Sequence, residues 1–235
     1  MDTDKLIKEI LTYEERLVES TRDAVVGIYN PVNKGYGSGS HIGDGYILTN
    51  CHVVSERLQP ASRVQIEWPK NEGREKEISM GHVIFNAPAF DLAIVRDSSK
   101  SNYTKPKLTL ESERYVKQGT KVCVIGCPLR YFNTTTFGHI TSTHRELNYY
   151  DMSNAMQAMF YQTDAAINGG NSGGACVNYN GYLIGVPSAG VTGADNIGFV
   201  IKTESIIEFI EEASKKSRDL DLLTLHTVMA KSIHK

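Results

Sequence analysis

Three polar residues that lie far apart in the sequence have the chemistry to hydrolyse a carbonyl compound together. Ser172 lies in the glycine-rich stretch Thr163-Asp-Ala-Ala-Ile-Asn-Gly-Gly-Asn-Ser-Gly-Gly. Serine alone is a weak nucleophile, so it needs a base and an acid that orients the base. Upstream, His52 in Leu48-Thr-Asn-Cys-His-Val-Val and Asp91 in Phe90-Asp-Leu-Ala-Ile-Val supply these two groups. The order His, Asp, Ser is one of the known arrangements of the hydrolytic triad.

The elements that must position these residues are short β-strands. Turn signals such as Gly43-Asp-Gly separate the apolar runs, and this texture is typical of an all-β sandwich or barrel. The first set of predicted strands covers residues 24–29, 46–49, 63–68, 81–85 and 92–95. The second set covers residues 121–126, 136–142, 160–163, 174–178, 182–186 and 197–201. A polar break between residues 98 and 119 separates the sets, and we therefore expect two barrels.

Helices are predicted at both ends of this β-region. Apolar residues recur at helical spacing over residues 4–20, with Lys and Glu between them. A second helix begins at Thr203, where Ser205 and Glu208 have the spacing of a capping box. Beyond residue 217, a further apolar face predicts one more helix.

Composition excludes several classes of function. The 235 residues carry a formal net charge of -2, which favours neither a nucleic acid nor an anionic membrane as a partner. No apolar run spans a bilayer, and the N-terminus lacks the apolar core of a signal peptide, so we expect a cytoplasmic protein. The histidines and the four cysteines lack metal-ligand spacing, so we expect no metal and no cofactor. Because the chain lacks an export signal, we expect the cysteines to be free buried thiols and not disulfides.

Five motifs in order along the chain resemble the protease domain of the HtrA (Deg) serine proteases, which belong to the trypsin-like group. Three surround His52, Asp91 and Ser172, and the others are Gly37-Ser-Gly-Ser and Asn196-Ile-Gly-Phe-Val-Ile. The resemblance covers the chain from about residue 24 to residue 210. It implies two six-stranded antiparallel β-barrels with the active site in the cleft between them.

The resemblance also implies how the site residues act. Ser172 attacks a peptide carbonyl, His52 takes its proton and later delivers it to the leaving amine, and Asp91 holds the imidazole. The oxyanion hole is formed by Gly170, Asn171 and Ser172, with the N–H groups of Gly170 and Ser172 as donors. One such donor lowers the barrier by about 3 kcal/mol.

The pocket for the substrate side chain is expected to be small and apolar. The trypsin-like carboxylate that selects basic side chains corresponds to Ala166 here. Ile167, Val186 and Ser188 are further candidate lining residues. Pro187 stands where the family commonly has a hydrogen-bonding residue, and proline has no N–H to donate.

The implied organisation has four parts. They are an N-terminal helical segment (1–22), a first barrel with His52 and Asp91 (23–110), a second barrel with Ser172 (111–203), and a C-terminal helix and tail (204–235). The residues after 210 are too few for a PDZ module, so we expect a protease domain without one. The resemblance further implies a homo-oligomer, a trimer, and a ligand-sensing loop over residues 143–159.

Two functions from different classes fit these observations. The first is a serine endopeptidase that acts on protein or peptide substrates, either in general proteolysis or in a specific processing role. The alternative is a catalytically silent trypsin-fold protein that serves as a binding or chaperone protein. Such proteins usually lose a member of the triad, and this sequence has all three residues.

Overall fold

The computed structural model describes most of the β-region and the helices at its two ends. Its described residues are 3–56, 59–70, 75–99, 104–111, 116–147, 158–191, 193 and 195–216. Most of the predicted sensing loop (148–157) and the predicted last helix with the tail (217–235) lie outside these residues.

The first barrel follows the N-terminal helix α1 (Thr3–Thr21). Its six strands are antiparallel and close in the order β1-β2-β3-β8-β7-β6. Their bounds are Val25–Asn30 for β1, Gly35–Gly43 for β2, Tyr46–Thr49 for β3, Arg63–Lys70 for β6, Glu75–Ala87 for β7 and Leu92–Asp97 for β8. The short helix α2 (Cys51–Val54) and a small ladder of β4 (Ser55–Glu56) and β5 (Gln59–Pro60) lie between β3 and β6.

The second barrel closes in the order β10-β11-β14-β13-β12-β9. Its strands are β9 (Lys121–Gly126), β10 (Thr134–Arg145), β11 (Phe160–Thr163), β12 (Ala175–Asn178), β13 (Leu183–Gly190) and β14 (Gly198–Lys202). Helix α3 (Thr203–Lys216) follows β14 directly. The predicted fold of two six-stranded antiparallel barrels with terminal helices is confirmed. The four-part division at residues 22, 110 and 203 stays a prediction.

Apolar clusters explain why the strands close into barrels and why the barrels stay together. Val26 and Ile28 of β1 point into the first barrel, while Val25 faces a cluster that contains residues of both barrels. Helix α3 contributes Phe209 to that shared cluster, and its ring packs 5.5 Å from Phe85 and 6.2 Å from Phe90. The helix therefore links the second barrel to the segment that precedes Asp91.

Strand β2 is the one strand of the two barrels that sequence reasoning missed as a strand. Its sequence, Gly-Tyr-Gly-Ser-Gly-Ser-His-Ile-Gly, consists mostly of glycine and serine, and Tyr36 and Ile42 are too far apart to give the run of β-branched and aromatic residues that marks a strand. The close packing of its neighbours explains the glycines. A Cβ atom on Gly39 would lie 2.5 Å from the Ile47 side chain.

Both predicted helices with described residues are confirmed, but the predicted capping box is wrong. Helix α3 begins at Thr203, so Ser205 lies inside the helix rather than before it. Its buried hydroxyl accepts a hydrogen bond from the backbone N–H of Met159 at 2.9 Å. None of the helices in the described part of the chain has the length and apolar character to cross a bilayer. The expected cytoplasmic location stays a prediction.

The four cysteines are free and buried, as the sequence analysis expected. Cys51 is adjacent to His52, and burial raises the pKa of its thiol above the ordinary value. A raised pKa keeps the thiol protonated and therefore a poor nucleophile.

Candidate active site

Helix α2 carries His52 at the edge of the first barrel. Its neighbours Cys51, Val53 and Val54 are buried, whereas the His52 side chain is 44% exposed. The short helix therefore anchors itself by three apolar side chains and turns the imidazole outward. This side of the barrel faces the glycine-rich stretch, because Gly37 of the adjacent β2 lies against Ser172.

Hydrogen bonds to its backbone carbonyl group hold Asp91 in place. The residue follows the 3₁₀ turn Pro88–Phe90 and has a left-handed φ of 50°. Its carbonyl oxygen accepts hydrogen bonds from the Asn50 side-chain amide at 2.9 Å and from the Cys51 N–H at 3.1 Å. These bonds tie Asp91 directly to the residues that begin α2, so the positions of Asp91 and His52 are coupled.

Asp91 is 3% exposed, and its carboxylate accepts hydrogen bonds from His52 and Ser188. His52 Nδ1 lies 2.9 Å from both carboxylate oxygens, and the His52 backbone N–H donates to Oδ1 at 3.1 Å. The Ser188 hydroxyl donates to Oδ2 at 2.7 Å. Because an ionised carboxylate only accepts hydrogen bonds, Nδ1 carries the proton and Nε2 of the neutral ring is left with its lone pair.

The environment of His52 changes its basicity in two opposing ways. Desolvation of the ring lowers its pKa, while the negative charge of Asp91 and the hydrogen bond to that carboxylate raise it. The net effect is a pKa of His52 above the ordinary value of 6.5. The ring is therefore a stronger base than an isolated histidine.

Ser172 lies in a turn in which most peptide groups are fixed by hydrogen bonds. The Asn171 N–H donates to Asn168 O at 2.9 Å, and Gly170 between them has a φ of 102°. This combination is that of a type II turn, which requires glycine at its third position. The Gly174 N–H donates to Asn171 O at 3.0 Å and continues the turn past Ser172.

Two backbone N–H groups near Ser172 differ from the others in the turn. Among the described residues, neither the N–H of Gly170 nor that of Ser172 donates to an acceptor. Asn171, the third predicted oxyanion residue, uses its own N–H within the turn. The arrangement leaves one unused donor at the nucleophile and another two residues before it.

Only glycine fits after Ser172. Gly173 has a φ of 84°, and a Cβ atom there would lie 2.2 Å from Ser38 O. Gly169, by contrast, has open space where a side chain would be. Glycine is therefore required at position 173, where β2 approaches closely, but a side chain would fit at position 169.

The Ser172 hydroxyl has a different partner from the one expected. It donates to the carbonyl oxygen of Ser188 at 3.0 Å, and among the described residues no hydrogen bond joins it to His52. Ser188 thus contacts Ser172 through its backbone and Asp91 through its side chain. The structure brings His52, Asp91 and Ser172 to one place, with Ser188 bonded to both Asp91 and Ser172.

A cavity of about 520 Å³ lies between the segment before the turn and the end of β13. Ala166 and Ile167, two predicted pocket residues, line it together with Gly190, Val191, Asp195 and Ile197. The Ile167 side chain fills the space in front of Gly198, where a Cβ atom would lie 2.6 Å from Ile167 Cδ1. The other predicted pocket residues, Val186, Pro187 and Ser188, are buried in β13 and are not part of this lining.

Sequence reasoning missed the contacts of three buried polar residues that organise the site. Asn50 and Ser188 both donate to Asp91, and Ser38 contacts the turn around Ser172. Polar residues without exposure are a signal, because buried polar groups are normally hydrogen-bonded. Their burial becomes visible only once the two barrels are packed together.

Comparisons with known proteins place this geometry in a family. The model of the trypsin-like peptidase domain matches residues 37–186, which is more than half of the chain. The putative protease Do-like 14 of Arabidopsis thaliana is 34% identical over 191 residues, which are 80% of this chain and 43% of that protein. The mitochondrial serine protease HTRA2 of Bos taurus is 34% identical over 212 residues, which are 86% of this chain and 43% of that protein. The chain thus spans less than half the length of these two curated relatives.

A solved structure gives the same result in three dimensions. The serine endoprotease from Yersinia pestis superposes with a TM-score of 0.70 at 30% sequence identity, over 87% of this chain and 67% of that one. The chain therefore belongs to the trypsin-like peptidase family, as an HtrA-like protease domain with the trypsin fold.

Proposed function

We propose that this chain is a serine endopeptidase that hydrolyses peptide bonds through Ser172, His52 and Asp91. The observation that carries the proposal is the buried Asp91 carboxylate, which lies 2.9 Å from His52 Nδ1 and accepts the Ser188 hydroxyl beside the Ser172 turn. A carboxylate in this position fixes the tautomer in which the opposite nitrogen of the imidazole accepts a proton.

The reaction begins when the Ser172 hydroxyl turns from Ser188 O to His52 Nε2. A substrate strand that lies along β13 offers a backbone N–H to Ser188 O and so replaces the hydroxyl there. Ser172 Oγ then attacks the peptide carbonyl while His52 takes its proton, and the amine leaves with that proton as the acyl-enzyme forms. Water, activated in the same way by His52, hydrolyses the acyl-enzyme and frees Ser172.

Two N–H groups stabilise the charge that develops on the carbonyl oxygen. The unused donors of Gly170 and Ser172 belong to a turn whose neighbouring peptides are fixed, so they need no reorganisation during the reaction. Each such donor lowers the barrier by about 3 kcal/mol. Asn171 contributes by closing the turn rather than by donating to the oxyanion.

The cavity favours small or medium apolar side chains before the cleaved bond. Ala166 leaves no carboxylate at the position that selects Lys and Arg in trypsin-like relatives, and Ile167 narrows the cavity, whose described lining also includes Asn168 and Asn196. Asp195, the carboxylate of the lining, is exposed. The substrates are protein or peptide segments, and the trimer implied by the family resemblance stays a prediction.

A fluorophosphonate probe should label the wild-type protein at Ser172 and leave Ser172→Ala unlabelled. The substitution should also lower kcat on a casein substrate by about 10⁶-fold, because the nucleophile of a triad is lost. Labelling is measured by peptide mass spectrometry and cleavage by release of soluble peptides. A folded wild-type protein that neither reacts nor cleaves casein would contradict the proposal and favour a binding role.

The kcat/KM of the wild-type protein should rise with pH and reach half its maximum above pH 6.5. The reason is that the base must be neutral, and Asp91 raises the pKa of His52, so protonated His52 persists to a higher pH. An NMR titration of His52 in Ser172→Ala should give the same midpoint. Adding Asp91→Asn should lower this midpoint, because the charge that favours the imidazolium is removed.

The signal of His139 in the same spectra reports any general change between the two variants. An unchanged His52 midpoint after Asp91→Asn would show that the carboxylate does not act on the base.

Peptide-library cleavage should give products that end mainly in small or medium apolar residues. Ile167→Ala should increase the ratio of kcat/KM for Phe over Val before the cut by about tenfold or more, because the removed side chain opens the cavity in front of Gly198. Asp195→Asn, which changes the charge of the lining but not its volume, should leave this ratio of Phe over Val unchanged. Wild-type products that end mostly in Lys or Arg would contradict this pocket.

A further inference from the structure

Ser38 makes more hydrogen bonds to the turn around Ser172 (residues 168–174) than any other described residue of the first barrel. It lies in β2 and is fully buried. Its backbone N–H donates to Ser172 O at 2.8 Å, and its hydroxyl donates to Gly170 O at 2.6 Å. The same hydroxyl accepts the N–H of Cys127, from the end of β9, at 2.8 Å. The Thr49 hydroxyl donates to Ser38 O at 2.6 Å and holds the strand itself.

These bonds fix the two peptide groups that flank the unused donors. The peptide between Gly170 and Asn171 is held at its oxygen by the Ser38 hydroxyl and at its N–H by Asn168 O. The peptide between Ser172 and Gly173 is held at its oxygen by the Ser38 N–H and at its N–H by Pro187 O. The Ser172 N–H belongs to the peptide between these two, and the Gly170 N–H belongs to the peptide just before the first, so the bonds of Ser38 restrict the directions of both N–H groups.

We propose that Ser38 is a positioning residue, whose hydroxyl holds the Gly170 carbonyl so that the N–H groups of Gly170 and Ser172 point to one oxyanion site. The inference rests on the proposed peptidase function and adds a residue of the opposite barrel to it. Ser38 does not contact the substrate. It acts through Gly170, and it replaces what would otherwise be a flexible glycine turn with a turn fixed to β2.

Ser40 shows that a buried serine in β2 need not make hydrogen bonds like those of Ser38. It lies two residues further on the same face of the strand and is also fully buried, but its hydroxyl has no hydrogen-bond partner in the described part of the chain. The two residues therefore provide a matched pair. Ser38→Ala and Ser40→Ala remove the same atom from the same strand, and only the first removes a contact with the turn.

The test compares these two variants in steady-state cleavage of one peptide substrate. Ser38→Ala should lower kcat by about 10²-fold, the loss that a misplacement of about 1 Å produces at a reacting centre, with KM unchanged. The pH midpoint of kcat/KM should also stay unchanged, because the bonds between His52 and Asp91 do not involve Ser38. Ser40→Ala should keep the wild-type kcat and KM.

A wild-type kcat in Ser38→Ala, or an equal loss in both variants, would overturn the inference. Should Ser38→Ala fail to fold, Ser38→Cys fills the site with a slightly larger side chain and replaces the strong hydroxyl donor by a weak thiol donor. In that variant a lower kcat at constant KM supports the role, and a wild-type kcat overturns it. An inactive wild-type protein would overturn the proposed function together with this inference, whereas an active one with an unimpaired Ser38→Ala would overturn the inference alone.

Discussion

The arrangement of the candidate site depends on one buried carboxylate, that of Asp91. It is 3% exposed, and its hydrogen-bond donors come from α2 of the first barrel and β13 of the second. Removing the partner of a buried charge typically destabilises a protein by about 3–5 kcal/mol. The two barrels therefore satisfy this charge jointly, and the same bonds that satisfy it orient His52. The bonds that stabilise the buried charge therefore also set the geometry of the candidate site.

The contact between the barrels is reciprocal. The Ser188 hydroxyl of the second barrel donates a hydrogen bond to Asp91 of the first barrel. In return, the hydroxyl and the backbone N–H of Ser38 in the first barrel donate hydrogen bonds to the turn around Ser172 in the second barrel. Phe209 of α3 adds an apolar contact with Phe85 and Phe90, next to Asp91. The position of Ser172 relative to His52 is thus set by hydrogen bonds between the two barrels. The Ser172 hydroxyl itself is bonded within the second barrel, because it donates to Ser188 O.

The sequence predicted the fold class well, because most strands carry alternating β-branched residues and clear turn signals. Strand β2 was missed for a physical reason, since close packing around Gly37 and Gly39 leaves no room for the side chains that mark a strand. The capping box at Ser205 failed because the helix already begins at Thr203, and the Ser205 hydroxyl inside it accepts the Met159 N–H instead. His52, Asp91 and Ser172 were predicted through their motifs, and their catalytic roles stay a prediction. The contacts of Asn50, Ser38 and Ser188 with them were not predicted, because hydrogen bonds between distant segments depend on how the barrels pack.

The central claim is that Ser172, His52 and Asp91 act as one unit, and the most direct test is whether their losses add. The measurement is kcat on a single peptide substrate for Ser172→Ala, for His52→Ala and for the double variant. Residues of a working triad are strongly non-additive, so we expect the double variant to be about as slow as either single one. Losses that multiply in the double variant would show that the two residues act independently and would contradict the account.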